Sequence, residues 1–144
     1  MASAAFIPGL SGLSHASSVM SAQSYRRIIG SNDRLNVGVI GFSSRAKSSL
    51  IPAFKKHSKN QNCQIIGVSD IWNRRRDEGK AFLEDYTGNS IETWRNNEEM
   101  YEKNQIDAVI ISTADFQHAL HTVQAANAKK DVYVEKPFAE TMED

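Results

Sequence analysis

At 144 residues, 40% of them apolar and 24% charged, the chain has the makeup of one ordinary globular domain. Its 17 basic and 17 acidic residues cancel, which argues against a general polyanion binder, because a phosphate backbone is held by clustered surplus positive charge. A single cysteine, Cys63, excludes an internal disulfide, no zinc-ligand spacing is present, and no apolar run reaches the roughly eighteen residues that cross a bilayer. No nucleic acid, metal or membrane partner is therefore expected.

Residues 1–33 differ from the rest. Up to Ser24 they are rich in Ala and Ser, carry Phe6, Ile7, Leu10 and Leu13, and hold no charged side chain until Arg26-Arg27. Two readings stay open, a disordered N-terminus or the remnant of an export signal without its positive leader, the latter implying an exported or periplasmic protein rather than a cytoplasmic one. The regular pattern begins at Arg34, and the folded domain is expected over residues 34–144.

Residues 35–40 are short, mostly apolar and β-branched, and stop at Gly41, which predicts a first strand. A helix is expected over about 44–57, with Leu50, Ile51 and Phe54 on one side and Pro52 kinking it or delaying its regular part. The run Ile65-Ile66-Gly67-Val68 predicts a second strand closed by Ser69-Asp70, and a second helix follows over 73–86. A short third strand is expected at 91–94, then a brief helix through Lys103 capped by Asn97. Residues 108–111 form the clearest strand, after which Ala119, Leu120, Val123 and Ala126 mark the inward face of a helix. Residues 132–134 predict a fifth strand, and 141–144 the first turn of another helix with Thr141 as its cap. Strands apolar throughout are buried on both faces, and strands alternating with helices run parallel. The expected fold class is α/β, a doubly wound parallel sheet.

In such sheets, ligands bind beyond the carboxyl ends of the strands, where the strand order switches. The turn after the first strand reads Gly41-Phe42-Ser43-Ser44-Arg45-Ala46, a variant of the dinucleotide fingerprint. Gly41 permits the tight turn, and Ala46 is small enough for helix and strand to pack closely. Ser43 replaces the glycine that admits the pyrophosphate, and its hydroxyl can itself bond a phosphate oxygen. Asp70, at the end of the second strand, suits the adenosine ribose hydroxyls and favours NAD. Arg74, Arg75 and Arg76 leave a 2′-phosphate contact open, so NADP stays as an alternative. Asp70 lies further from the turn than the usual spacing of about twenty residues, and a loop insertion at 55–62 would explain the excess. Trp72 and Trp94 read as packing residues. His118 and His121 share a helix face with no third ligand nearby, so no metal site is read from them.

Two further stretches carry a family resemblance, Ser112-Thr113-Ala114-Asp115-Phe116-Gln117-His118 and Val134-Glu135-Lys136-Pro137-Phe138. With the glycine turn, they resemble the NAD(P)-binding Rossmann domain of the glucose–fructose oxidoreductase, inositol dehydrogenase and rhizopine-catabolism family (Gfo/Idh/MocA), over about residues 34–144. The resemblance implies that Gly41, Ser43 and Arg45 lie at the pyrophosphate and Asp70 at the ribose. It implies that Ser112, Thr113 and His118 line the cofactor, that Glu135 sits near the nicotinamide, and that Lys136 is the catalytic residue facing a substrate hydroxyl. Pro137 would help fix the loop, with a cis bond as one means. Where many relatives carry Pro, His and Trp, this chain has Ala114, Phe116 and Gln117, which puts those contacts in doubt.

Members of this family continue into a last strand and a C-terminal substrate domain, so the chain is expected to be a truncated form that lacks both. The implied activity of the full-length protein is hydride transfer between NAD(P) and a sugar or cyclitol hydroxyl, with a homo-oligomer left open. Two other functions remain at this stage. One is an NAD-dependent, redox-assisted glycosidase of the same family. The other is a non-catalytic nucleotide-binding fragment or sensor, which fits the 144 residues by themselves.

Overall fold

The computed structural model describes residues 34–141 and 143, except 104; the reading of residues 1–33 lies outside them. Among the described residues five strands and four helices alternate: β1 (Leu35–Ile40), α1 (Ile51–Ser58), β2 (Cys63–Ser69), α2 (Asn73–Thr87), β3 (Glu92–Trp94), α3 (Asn97–Glu102), β4 (Ala108–Ile111), α4 (His118–Asn127) and β5 (Asp131–Val134). A π-helical stretch, Ala46–Leu50, leads into α1, and a 3₁₀ turn, Asp115–Gln117, leads into α4. All strand pairs are parallel, in the order β3-β2-β1-β4-β5. The chain winds outward from β1 to β3, crosses back, and winds outward again from β4 to β5. The crevice of this doubly wound sheet therefore opens where β1 meets β4.

Alternation along each strand divides the core between the two faces. Val37, Val39, Val68 and Ile110 pack with Phe42, Leu50, Ile51 and Leu83 under α1 and α2. Ile40, Val109 and Ile111 pack with Met100, Tyr101 and Ala125 under α3 and α4. A fully buried side chain such as Leu83 or Met100 contributes about 1.5–3 kcal/mol by leaving water.

Pro52 sits in the first turn of α1, where its missing N–H is not needed, and the irregular π segment precedes it. The regular part is delayed, as expected. Residues 55–58 belong to α1, so only 59–62 form a turn, and the long spacing from Gly41 to Asp70 comes mainly from helix rather than from an inserted loop.

Four further expectations fail. Asn97 is not a cap: Asn96 holds that position, its side chain bonding the Glu99 carboxylate rather than the helix backbone, and Asn97 is buried inside the first turn. The inward face of α4 is formed by His118, Ala119 and Ala125, whereas Leu120 and Val123 are 56% and 51% exposed. The histidine takes the buried slot because its ring ties two loops together, and that sets the rotation of the helix. β5 is not buried on both faces; Tyr133 is exposed, and β4 is its one neighbour among the described residues. Thr141 lies in a bend rather than at the start of a described helix, and Met142 and Asp144 fall outside the described residues.

Candidate functional site

Gly41 shapes the floor of the crevice. Its φ of +80° strains any side chain, and a Cβ there would stand 2.7 Å from Thr113 Cγ2 and 2.9 Å from the Ser112 carbonyl oxygen. The turn after β1 and the loop after β4 therefore touch through bare backbone. Phe42, given no role in the sequence analysis, is 1% exposed, and its ring packs against the backbone of Gly79 in α2 and 5.7 Å from the Phe82 ring. A buried aromatic thus anchors the turn that the glycine bends.

Ser43 acts first as a helix cap. Its Oγ accepts the Ala46 N–H at 3.1 Å, and it lies 2.5 Å from Ser112 Oγ. One hydroxyl proton is spent between the two serines and the other is left for an acceptor. Ala46 is fully buried, which confirms the need for a small residue there.

Asp70 spans the same turn from the β2 side. Its Oδ2 accepts the Phe42 N–H at 3.0 Å, and its Oδ1 accepts the Trp72 N–H at 2.9 Å. Each oxygen keeps a lone pair for a further donor, such as a ribose hydroxyl. The three arginines that follow are engaged separately: Arg74 lies 4.1 Å over the Trp72 ring, Arg75 pairs with Glu78, and Arg76 donates to the Asp70 carbonyl. Trp72 corrects the packing expectation, being 52% exposed at the edge of the crevice, whereas Trp94 is buried as expected.

The loops after β4 and β5 are held together by His118, which is 1% exposed. Its Nδ1 donates to the Pro137 carbonyl at 2.7 Å, and its Nε2 stands 3.3 Å from the Thr113 carbonyl. The Lys136–Pro137 bond is cis. Glu135 is buried, accepts Arg45 Nε at 3.1 Å, and receives the Lys136 backbone N–H at 3.3 Å. Burial works to raise the Glu135 carboxyl, but the Arg45 guanidinium, the Lys136 N–H and the nearby charges outweigh it and hold it below the usual range. The Lys136 side chain stands exposed at the rim.

Two adjoining cavities result. A larger one of about 650 Å³ runs from residues 41–44 past Asp70 and Trp72 to Asn97, His121 and Gln124. A smaller one of about 340 Å³ gathers Ser43, Arg45, Ser112, Thr113, His118, Glu135 and Lys136. Ser43, Ser112 and Thr113 line both. All nine residues singled out from the sequence therefore border this crevice, with Gly41 and Asp70 in the larger part and Arg45, His118, Glu135 and Lys136 in the smaller.

The donor set fits a dinucleotide. A turn bent at the Cβ-free Gly41 and the first N–H groups of the helix that follows suit a diphosphate, and the Asp70 carboxylate borders the same crevice. Asn97 and His121 were missed as site residues. Asn97 carried only a capping signal, and His121 only its spacing from His118.

The oxidoreductase family with an NAD-binding Rossmann fold, Gfo/Idh/MocA, matches residues 35–144. The chain belongs to this family. It is 32% identical over 106 residues to Oxidoreductase P35 of Formosa agariphila, covering 73% of this chain and 30% of that protein. It is 27% identical over 110 residues to glucose-6-phosphate 3-dehydrogenase of Bacillus subtilis, covering 75% and 27%. Among solved structures, the myo-inositol dehydrogenase of Lactobacillus casei in complex with NAD(H) and myo-inositol superposes with a TM-score of 0.63 at 21% identity, covering 76% and 30%, and shares the fold. The chain thus spans about 30% of the length of such Gfo/Idh/MocA relatives. It is an NAD-binding oxidoreductase domain of that family.

Proposed function

We propose that the chain is the cofactor-binding part of a dehydrogenase that moves hydride between NAD and a hydroxyl-bearing carbon of a sugar or cyclitol. The observation that carries this reading is the position of Lys136. It stands at the rim of the cavity floored by Ser43, Ser112 and Thr113, on a loop tied down by Glu135 and His118. Glucose-6-phosphate 3-dehydrogenase and myo-inositol dehydrogenase, both similar to this chain, are named for sugar and cyclitol substrates, which supports the substrate class.

In this proposal Ser43, Ser112 and the helix start hold the diphosphate, and Asp70 accepts from the ribose. Asp70 favours NAD, while NADP remains the alternative, since Arg75 and Trp72 also border that end. Bound NAD supplies the hydride acceptor. Lys136 orients the substrate hydroxyl and takes its proton as the carbinol C–H bond breaks. The Arg45–Glu135 pair keeps an anion beside the lysine backbone without leaving a buried charge unmatched.

The test is Lys136→Met. In the 144-residue chain, NAD affinity should stay nearly unchanged, because the lysine is assigned to the substrate side. In a protein extended to the length of its relatives, turnover should fall by about 10²-fold or more, the range for loss of acid–base help. Full activity after the substitution would sink the assignment.

A further inference from the structure

A polar chain runs from the core to residues that line the larger cavity and not the smaller one that holds Lys136. Ser69 is 1% exposed and Asn97 8%. Ser69 Oγ lies 2.8 Å from Asn97 Oδ1, and Asn97 Nδ2 lies 2.8 Å from Nδ1 of His121, whose ring lines the cavity. Gln124 Oε1 stands 3.1 Å from the same ring nitrogen, while its Nε2 donates at 3.1 Å to the Glu98 carboxylate.

The carboxylate decides the direction of this chain. A carboxylate only accepts, so Gln124 must give Glu98 its NH₂ and turn its oxygen to the ring. An oxygen facing Nδ1 requires the ring proton on Nδ1. Asn97 complies by a half-turn of its amide, which exchanges oxygen and nitrogen without changing shape. It then offers its oxygen to the ring and its NH₂ to Ser69 Oγ. Nε2 is left as a lone pair, with no partner among the described residues.

We propose that His121 Nε2 accepts a hydrogen bond from the exocyclic amino group of the purine in the adenosine half of the cofactor, so that His121 selects adenine against a 6-oxo purine. The proposal rests on the dinucleotide reading of the crevice. Asp70 marks the sugar, Lys136 marks the opposite end, and the base falls among the residues beyond Asp70, which include His121. A 6-oxo purine sets an acceptor against an acceptor there. The Glu98–Gln124 link holds the ring in one tautomer, and the buried Ser69–Asn97 pair, whose hydroxyl can donate or accept, fits it.

The chain is titrated calorimetrically with NAD and with nicotinamide hypoxanthine dinucleotide. NAD should bind about tenfold more tightly, the size of one hydrogen bond exchanged for an unsatisfied acceptor. His121→Phe should reduce that preference to within about twofold. Glu98→Gln, at an exposed position, removes the acceptor-only anchor and should lower the preference without disturbing the core. Nitrogen-15 shifts of the unsubstituted chain should show His121 protonated at Nδ1 and bare at Nε2. Equal affinity for the two dinucleotides, or the opposite tautomer, overturns the proposal while leaving the cofactor reading intact. Binding of neither dinucleotide overturns both.

Discussion

The guanidinium of Arg45 meets the carboxylate of Glu135 at 3.1 Å and joins the turn after β1 to the loop after β5. Because Arg45 remains 58% exposed and Glu135 only 9%, the carboxylate is the partner that depends on the pair. A carboxyl held below its ordinary value near 4.5 stabilises the fold fully above that value. This contribution is lost as pH falls through the lower folded-state value. In Arg45→Met, burial would act with less opposition and the carboxyl should titrate at higher pH. Carbon-13 titration of the Glu135 carboxyl checks this, and an unmoved midpoint would show that the ion pair does not control it.

Gly41→Ala should cost about 2–4 kcal/mol, combining backbone strain at positive φ with overpacking against Thr113. The urea midpoint should fall with an unchanged slope. A loss under about 0.5 kcal/mol, the range of neutral surface changes, would mean that the two loops separate easily.

Asp70→Ala removes acceptors from two backbone N–H groups as well as from the ribose. We expect a stability loss of about 1–3 kcal/mol and a larger loss of affinity for NAD than for NADP, since the acid would repel a 2′-phosphate. Paired titrations of the variant and the parent chain decide the point. An equal loss for both cofactors would make Asp70 a turn residue only.

Tyr101 is 8% exposed, and its hydroxyl has no hydrogen-bond partner among the described residues. Burial, with Glu98 nearby, pushes the phenol far above its usual range, so it stays neutral. Removing an unmatched buried hydroxyl should be neutral or stabilising by up to about 1 kcal/mol. Thermal unfolding of Tyr101→Phe measures this, and a clear drop in midpoint would reveal a partner that the fold conceals.

Much of the architecture was legible because it is local. β1 has the expected bounds, 35–40, and α2 starts at the expected Asn73. The apolar runs show period and length directly, and Pro52 announces a delayed helix. Gly41 was legible for a similar reason, since a glycine ending a strand signals a conformation that other residues avoid. Glu135, Lys136 and Pro137 were found through family resemblance, and nothing in their spacing alone distinguished them from a surface turn.

The sequence by itself determined the α/β alternation, the glycine turn and the acid after β2, because each depends on neighbours within a few residues. Only the tertiary structure decided which polar groups face one another. Arg45 meets Glu135 across ninety positions, and Asn97 meets His121 across twenty-four. Such pairings follow from the parallel crossovers that bring the β1, β3, β4 and β5 loops to one end of the sheet. The same long-range packing turned His118 inward and left Leu120 outside, since burying a polar group requires partners that helical periodicity cannot reveal.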